Sequence, residues 1–312
     1  MKQTDLGKSL FLPVGMALAM ALGWIWPEPG RILAATPARH FFIILVFFLS
    51  GWQFKLEEIK GPGKFKRSLA AGLVLNLLLP PLFFFLLPSS LDSGLSLGLA
   101  IMLCMPTTLI SGVVIATQAG GNQSLGVAMT LILSVAGVFI FPYTLSFLLG
   151  SGPLGFSATK LLGETAVLTL VPLALGVAFK RQSGRVFPSA LSPLSALCVI
   201  FSIWLAVSKS ASQMQATPWM ALGIALGLGA VVHALMLVLC WAAARMLKLK
   251  RPEALAFLFV GSQKTVVLAS AILLLLPESL TLGRLAATTA ACVAYHYAQI
   301  IMDSFLAAKL AK

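Results

Sequence analysis

The chain has 312 residues, of which 59% are hydrophobic and 10% are charged, and its formal net charge is +13. Because a soluble domain carries about 25% charged residues, this composition excludes a water-soluble globular protein and makes lipid the main solvent. In a membrane protein, basic residues gathered in alternate loops indicate orientation, so we expect no nucleic-acid partner.

Ten apolar stretches are candidates to cross the roughly 30 Å hydrocarbon core as helices of about 20 residues. In chain order they are Leu10–Trp26, Phe41–Trp52, Leu69–Leu87, Leu95–Gln118, Gln123–Leu149, Leu161–Phe179, Pro188–Val207, Trp219–Ala244, Ala254–Leu276 and Ala286–Leu306. The second is the shortest. The sequence therefore predicts an all-α polytopic membrane protein with ten transmembrane helices, and the short gaps predict one transporter domain over residues 1–312.

The distribution of lysine and arginine predicts the orientation of the chain. With the N-terminus inside, 16 of the 22 basic residues fall in cytoplasmic loops and tails, and five fall on the opposite side. Cytoplasmic loops carry an excess of Lys and Arg, so we expect both termini in the cytoplasm. We expect the protein in an inner or plasma membrane, in contact with membrane lipids, as a monomer or homodimer.

The two halves of the chain correspond when shifted by half its length. Leu99–Leu109 then aligns with Leu255–Thr265, and both segments place helix-breaking and polar residues in mid-span. Five spans per half give the halves opposite orientation, as in the inverted repeats of transporters. We expect repeat one over about 1–152 and repeat two over about 153–312, divided in the Ser- and Gly-rich segment Gly150–Thr159.

The fourth predicted span is interrupted by Pro106, which removes a backbone donor and crowds the preceding turn. Thr107, Thr108 and Ser111 follow it and carry hydroxyls that can bond to the carbonyls left without partners. The segment is either a proline kink closed by hydroxyls or part of a binding site.

The ninth predicted span contains Gln263, Lys264 and Thr265 between two apolar runs. A lysine at the centre of a membrane helix costs at least about 2.5 kcal/mol, so it indicates a functional site. A structural ion pair is the alternative. The sequence offers no carboxylate at the same depth, because Glu164 and Asp303 lie near predicted span ends. This favours the functional interpretation.

Weaker polar positions occur in other spans. Candidates for a substrate or ion site are Asn76, Asn122, Thr130 and His296. His233 either bonds to a neighbouring helix or relays protons. All four cysteines lie in apolar segments without C-x-x-C spacing, so we expect no disulfides.

Several motifs together resemble the bile acid:sodium symporter family, and in particular its SBF-like branch. They are Pro-Thr-Thr-x-x-Ser from Pro106, Gly-Gly-Asn from Gly120, Gly-Ser-Gln-Lys-Thr from Gly261, and Phe48–Gly51 followed by Phe54–Glu58. The resemblance covers essentially the whole chain. It implies discontinuous fourth and ninth helices that cross near the midplane, with substrate bound beside them and moved by alternating access. In sodium-coupled members two sodium ions bind behind the crossing.

The sodium ligands that the resemblance implies are only partly present. Ser111-Gly112 stands where the family has Ser-Asn, and Gly126 and Thr130 stand where it has Ser and Thr. Phe259 occupies the place of a family glutamate, and Lys264 that of an asparagine. Asn76 corresponds to a family glutamine. Ser111, Thr130 and Gln263 are the remaining candidate sodium ligands.

These departures suggest that Lys264 replaces a sodium ion. Its ammonium would repel a cation about 4 Å away by about 4 kcal/mol at an effective dielectric of 20. We expect its three donors to bridge carbonyls and hydroxyls of the two broken helices, with Thr107, Thr108, Ser111, Gln263 and Thr130 as neighbours. Because burial penalises the charged form of lysine, Lys264 is also a candidate for proton coupling, and the coupling ion is either sodium or a proton.

The sequence thus predicts a secondary active transporter of a small organic solute, anionic or amphipathic. One alternative is an arsenite-type efflux carrier, because Cys104 lies two residues before Pro106. Another is a membrane regulator of ion homeostasis that transports nothing. An enzyme is not expected, since the three histidines fall in different spans without metal-binding spacing. No resident cofactor or metal is expected.

Overall fold

The computed structural model describes residues 14–15, 17–19, 21–53, 63–108, 111–149, 158–184, 192–215, 219–275 and 282–311. The Phe54–Glu58 part of the family motif and residues 150–157 of the predicted repeat boundary lie outside these ranges. Every regular element within them is a helix. This agrees with the all-α prediction.

The helices follow one another with short connections. The described residues between 14 and 25 form α1. The next are α2 Glu28–Ala34, α3 Phe41–Gln53, α4 Gly63–Leu73, α5 Ser93–Cys104, α6 Ser111–Gln118, α7 Gln123–Leu149, α8 Ala158–Ser183, α9 Ser192–Gln215, α10 Trp219–Met246, α11 Arg251–Ser262, α12 Val266–Leu275 and α13 Leu282–Leu310. A short 3-10 helix, Pro37–His40, precedes α3, and α4 continues through a π turn, Val74–Leu78, into a 3-10 helix, Pro80–Leu86.

Five helical stretches are long and apolar enough to cross a membrane. They are Phe65–Leu86, Gln123–Leu149, Ala158–Ser183, Trp219–Met246 and Arg251–Leu273. The protein is therefore a multi-pass membrane protein. The predicted total of ten spans, their arrangement as inverted repeats and the repeat boundary stay predictions.

The third predicted span changes helix type because of two prolines. Pro80 lacks an amide hydrogen, and its ring clashes with the carbonyl four residues earlier, which is that of Asn76. The chain widens into the π turn, and the Leu79 amide donates to the Val74 carbonyl at 2.9 Å. The Asn76 carbonyl is thereby left without a partner inside its own helix.

Both broken helices stop in mid-membrane. Helix α5 ends at Cys104, and Met105 is extended, as is usual for a residue before proline. Helix α11 ends at Ser262, and Gln263 is likewise extended. The four half-helices α5, α6, α11 and α12 thus direct one end each towards two short non-helical segments.

Apolar side chains form two clusters, one on either side of these segments. Helices α5 and α12 contribute to the first cluster, together with the first half of α13. Helices α6 and α11 contribute to the second, together with the second half of α13 and the first half of α7. Each broken helix passes from one cluster to the other at its break, so a polar layer lies between two apolar ones.

Helices α3 and α8 pack in close backbone contact through two glycines. A Cβ on Gly51 would lie 2.1 Å from the Leu173 carbonyl oxygen, and one on Gly176 would lie 2.1 Å from the Phe48 carbonyl oxygen. Small residues let membrane helices approach closely enough for dispersion and backbone contacts to hold them together.

We predict that Gly176→Ala destabilises the protein by about 1–3 kcal/mol, since the added methyl group forces α3 and α8 apart. Gly163→Ala on the same helix is the matched control, because its Cβ would meet nothing within 4 Å. The control is expected to raise stability by up to about 1 kcal/mol through helix propensity alone. Thermal melting in detergent measures both, and equal shifts for the two variants would contradict the close-packing argument.

Candidate functional site

The two breaks lie against each other at the centre of the polar layer. The Thr265 amide donates to the Pro106 carbonyl at 2.8 Å. The Thr107 hydroxyl donates to the Val260 carbonyl at 2.5 Å, across to α11. Each broken segment therefore supplies partners for backbone groups of the other.

Lys264 lies at this contact with none of its surface exposed. Its ammonium Nζ donates to the Leu103 carbonyl at 3.1 Å, to the Met105 carbonyl at 2.9 Å, and to the Asn76 carbonyl. All three acceptors are backbone carbonyls beside a proline-disturbed segment. The three donors of one ammonium group thus match the three acceptors that the two breaks provide.

The expected neighbours of Lys264 are partly wrong. The expected carbonyl partners are present, but among the described residues the ammonium bonds to none of the expected hydroxyls, those of Thr107, Thr108, Ser111 and Thr130. The lysine side chain reaches α5 and the π turn instead, and the hydroxyls of Thr107, Thr108 and Ser111 bond to Val260 and Gln263. We define the Asn76, Leu103 and Met105 carbonyl oxygens as the carbonyl cage.

Asn76 contributes both its backbone carbonyl and its side-chain amide to the site. Its own carbonyl belongs to the cage, and its side-chain amide donates to the Gly261 and Gln263 carbonyls, both at 2.9 Å. These carbonyls lie at the end of α11, where the helix no longer supplies donors. Asn76 is fully buried, and among the described residues its Oδ1 has no hydrogen-bond partner.

Gln263 connects the two breaks to the last helix. Its Oε1 accepts from the hydroxyls of Thr108 at 2.7 Å and Ser111 at 2.8 Å. Thr108 in turn accepts from the Gly112 amide at 3.0 Å, at the first turn of α6. The Gln263 Nε2 donates to Asp303 Oδ2 at 2.5 Å. This side chain therefore bonds to α6, α13 and the α5–α6 break at once.

Asp303 lies in the same polar layer, fully buried. Its Oδ1 is 2.8 Å from His233 Nε2, on α10. The expectation that no carboxylate lies at the depth of Lys264 is therefore wrong. Helix α13 continues to Leu310, past the predicted end of the last span, so Asp303 is interior to the helix. Asp303 follows His296 and Gln299 at helical spacing, and this polar face was the signal in the sequence.

Gln299 holds the backbone of Lys264. Its Oε1 accepts from the Lys264 amide at 2.9 Å, and its Nε2 donates to the Lys264 carbonyl at 2.7 Å. The same Nε2 lies 2.6 Å from His296 Nδ1. His296 thus reaches the site through Gln299, and Gln299 is a site residue that was not singled out from the sequence.

Two candidates lie outside this network. Asn122 caps α7. Its side-chain Oδ1 accepts from the Leu125 amide at 3.0 Å, and its backbone amide donates to the Pro252 carbonyl at 2.8 Å. Thr130 is buried, but its hydroxyl has no hydrogen-bond partner among the described residues. Asn122 therefore fixes a turn, and Thr130 contributes no bond to the crossing.

The described part of the chain holds no group of three His, Cys, Asp or Glu side chains placed to bind a metal ion. The four cysteines are buried and unpaired, in agreement with the expectation of no disulfides. Cys104 is the last residue of α5, directly before the break.

Residues 11–312 match the SBF-like CPA transporter family. This chain belongs to that family. It is 29% identical to the probable sodium/metabolite cotransporter BASS4, chloroplastic, of Arabidopsis thaliana, over 95% of this chain and 71% of the relative. A protein of the same name from Oryza sativa subsp. indica is 27% identical over 96% of this chain and 75% of its own.

A mammalian relative carries a related name. The sodium/bile acid cotransporter 7 of Mus musculus is 24% identical over 58% of this chain and 56% of its own length. The family and these relatives confirm the resemblance stated from the motifs. The chain is an integral membrane transporter and not an enzyme.

We predict that Asn76→Leu lowers the melting temperature, because the Gly261 and Gln263 carbonyls lose their donor inside the membrane. Each buried acceptor left without a partner costs about 1–3 kcal/mol. Leu78→Ala is the control, since Leu78 lies in the same π turn but is half exposed. If Asn76→Leu and Leu78→Ala melt at the same temperature, the hydrogen bonds from the Asn76 amide to α11 contribute nothing to stability.

Proposed function

We propose that this chain is a secondary active transporter of a small organic solute, in which Lys264 takes the place of a coupling sodium ion. The observation that carries the proposal is the carbonyl cage around the buried ammonium. Backbone carbonyls are the hard oxygen ligands that sodium requires in place of water. Here a covalently attached cation occupies them.

The loss of side-chain ligands supports this role. The family glutamate is Phe259 in this chain, and it is fully buried in apolar surroundings. The Ser111 hydroxyl and the Gln263 Oε1 bond to each other. Two of the three remaining candidate sodium ligands thus satisfy one another, and the third, Thr130, has no bond to them.

The names of the relatives support the class of solute. They are described as sodium/metabolite and sodium/bile acid cotransporters. A bile acid is an amphipathic anion, and we propose a solute that is anionic or amphipathic. Since Lys264 and Gln263 have no exposed surface, the described conformation is closed at the crossing. We propose that alternating access opens it from either side.

We propose that the protein resides in a cytoplasmic membrane with both termini inside. Basic residues at the start of α4, the end of α10, the start of α11 and the end of α13 support this orientation. The Arg251 side chain donates to the Leu310 carbonyl at 2.6 Å, which places the last two of these helix ends together.

We predict that sodium does not stabilise the wild-type protein. A ligand present at 100 times its dissociation constant raises the stability of the folded state by about 2.7 kcal/mol, so a functional sodium site would raise the melting temperature by several degrees. The measurement is thermal melting in sodium chloride and in choline chloride at equal ionic strength. A sodium-specific rise would show that Lys264 does not replace the ion.

We predict that purified protein in proteoliposomes takes up a labelled bile acid or another labelled organic acid at the same rate in sodium and in choline buffers. Lys264→Met, which keeps the length of the side chain without its charge, is expected to lower the rate at least about tenfold, because the carbonyl cage loses its cation. Lys309→Met is the control, since Lys309 is exposed near the end of α13.

Two results would contradict the transport proposal. Absence of uptake for every organic acid tested would favour a regulator that transports nothing. An unchanged uptake rate in Lys264→Met would leave the transporter intact but remove the role of Lys264.

A further inference from the structure

Asp303 on α13 is a fully buried carboxylate in the polar layer, and it bonds to Gln263 in the break of the ninth predicted span. We propose that Asp303 is the built-in counter-charge of Lys264 and the residue that orients Gln263, so that the carbonyl cage is a latent monovalent-cation site. This inference rests on the proposed replacement of sodium by Lys264.

The hydrogen bonds of Asp303 fit an ionised carboxylate that accepts on both oxygens. Gln263 Nε2 faces Oδ2, and a side-chain amide nitrogen can only donate. His233 Nε2 faces Oδ1 at 2.8 Å. His233 Nδ1 is buried and has no partner among the described residues, so a proton there would be an unpaired donor. The neutral ring that donates from Nε2 therefore fits the site, and Asp303 carries the negative charge.

The surrounding ionisable groups leave this balance unchanged. Besides Lys264 and His233, those with electrostatic interactions in the layer are Cys104, Cys240, Tyr295 and His296. Buried thiol and phenol groups are neutral, and His296 Nδ1 accepts from Gln299. Asp303 bonds to Gln263, the residue before Lys264, so the two charges lie in one polar layer. The layer thus holds one positive and one negative charge.

Asp303 also determines which way the Gln263 amide points. With Nε2 on the carboxylate, Oε1 is directed to the hydroxyls of Thr108 and Ser111. In the opposite orientation, Oε1 would face a carboxylate oxygen and Nε2 would face the hydroxyls. The carboxylate therefore acts through Gln263 on the start of α6, and Asp303 is a positioning residue for the crossing.

Removing the ammonium and keeping Asp303 leaves three carbonyl oxygens and an uncompensated negative charge in one buried layer. A small monovalent cation satisfies both, because sodium takes oxygen ligands and cancels the charge. Lys264→Ala makes room for such an ion, while Lys264→Met fills the same space with an apolar side chain.

The first test compares melting temperatures in sodium chloride and choline chloride at about pH 8, where a carboxylate stays ionised most easily. Lys264→Ala is expected to gain a saturable, sodium-specific rise of about 3 °C or more. The double variant Lys264→Ala/Asp303→Asn is expected to lose that rise. Lys264→Met is the matched control and is expected to remain insensitive to sodium.

The second test exchanges the carboxylate of Asp303 and the amide of Gln263 between the two positions and leaves Lys264 unchanged. Asp303→Asn alone removes the counter-charge, and Gln263→Glu alone places two carboxylates against each other, so both should lower the melting temperature. The double variant Gln263→Glu/Asp303→Asn restores a donor facing an acceptor and keeps the net charge. It is expected to recover most of the loss, which a merely space-filling role of Asp303 would not produce.

The outcomes separate this inference from the proposed function. A sodium response in the wild-type protein would refute the replacement of sodium by Lys264. If sodium does not stabilise the wild-type protein, two results would overturn the role of Asp303. One is a folded Lys264→Ala that sodium does not stabilise, and the other is a sodium response that persists in Lys264→Ala/Asp303→Asn. Where Lys264→Ala does not fold, the exchange decides: recovery in the double variant supports the inference, and additive losses overturn it.

Discussion

The structure depends on one constraint: a backbone carbonyl in hydrocarbon needs a donor, and the two broken helices leave several without one. Water supplies donors to helix ends in soluble proteins, but the membrane interior has none to offer. In this chain the donors include the ammonium of Lys264, the side-chain amide of Asn76 and the hydroxyl of Thr107. The hydrogen bonds that hold the crossing together are therefore those that the interrupted helices require.

Proline and lysine depend on each other in this arrangement. Pro80 frees the Asn76 carbonyl, and the break at Pro106 frees those of Leu103 and Met105. Without donors, these carbonyls would cost free energy in the membrane interior, and a buried ammonium without acceptors would cost more still. Together they satisfy one another. A lysine in mid-span is thus tolerated because the helices around it are imperfect.

The sequence predicts the elements better than it predicts the contacts. The predicted span Gln123–Leu149 matches α7, and the breaks at Pro106 and near Lys264 were visible as helix-disrupting residues inside apolar runs. Carbonyl partners for Lys264 on the broken helices were expected, but the Asn76 carbonyl was not predictable, because a backbone carbonyl carries no sequence signal and this one is freed by the π turn. Asp303 was misplaced for a related reason: the end of a span was judged from hydropathy, and α13 continues beyond it.

A tethered cation changes how transport can be driven. A sodium ion that binds and leaves in every cycle links the solute to the sodium gradient, whereas an ammonium covalently attached to the chain cannot leave with the solute. With Asp303 as its partner, the polar layer keeps a constant net charge of zero as long as neither group exchanges a proton. Secondary active transport must then be coupled to an ion that exchanges in every cycle, and under the proposed replacement of sodium the candidate is a proton taken up at the crossing.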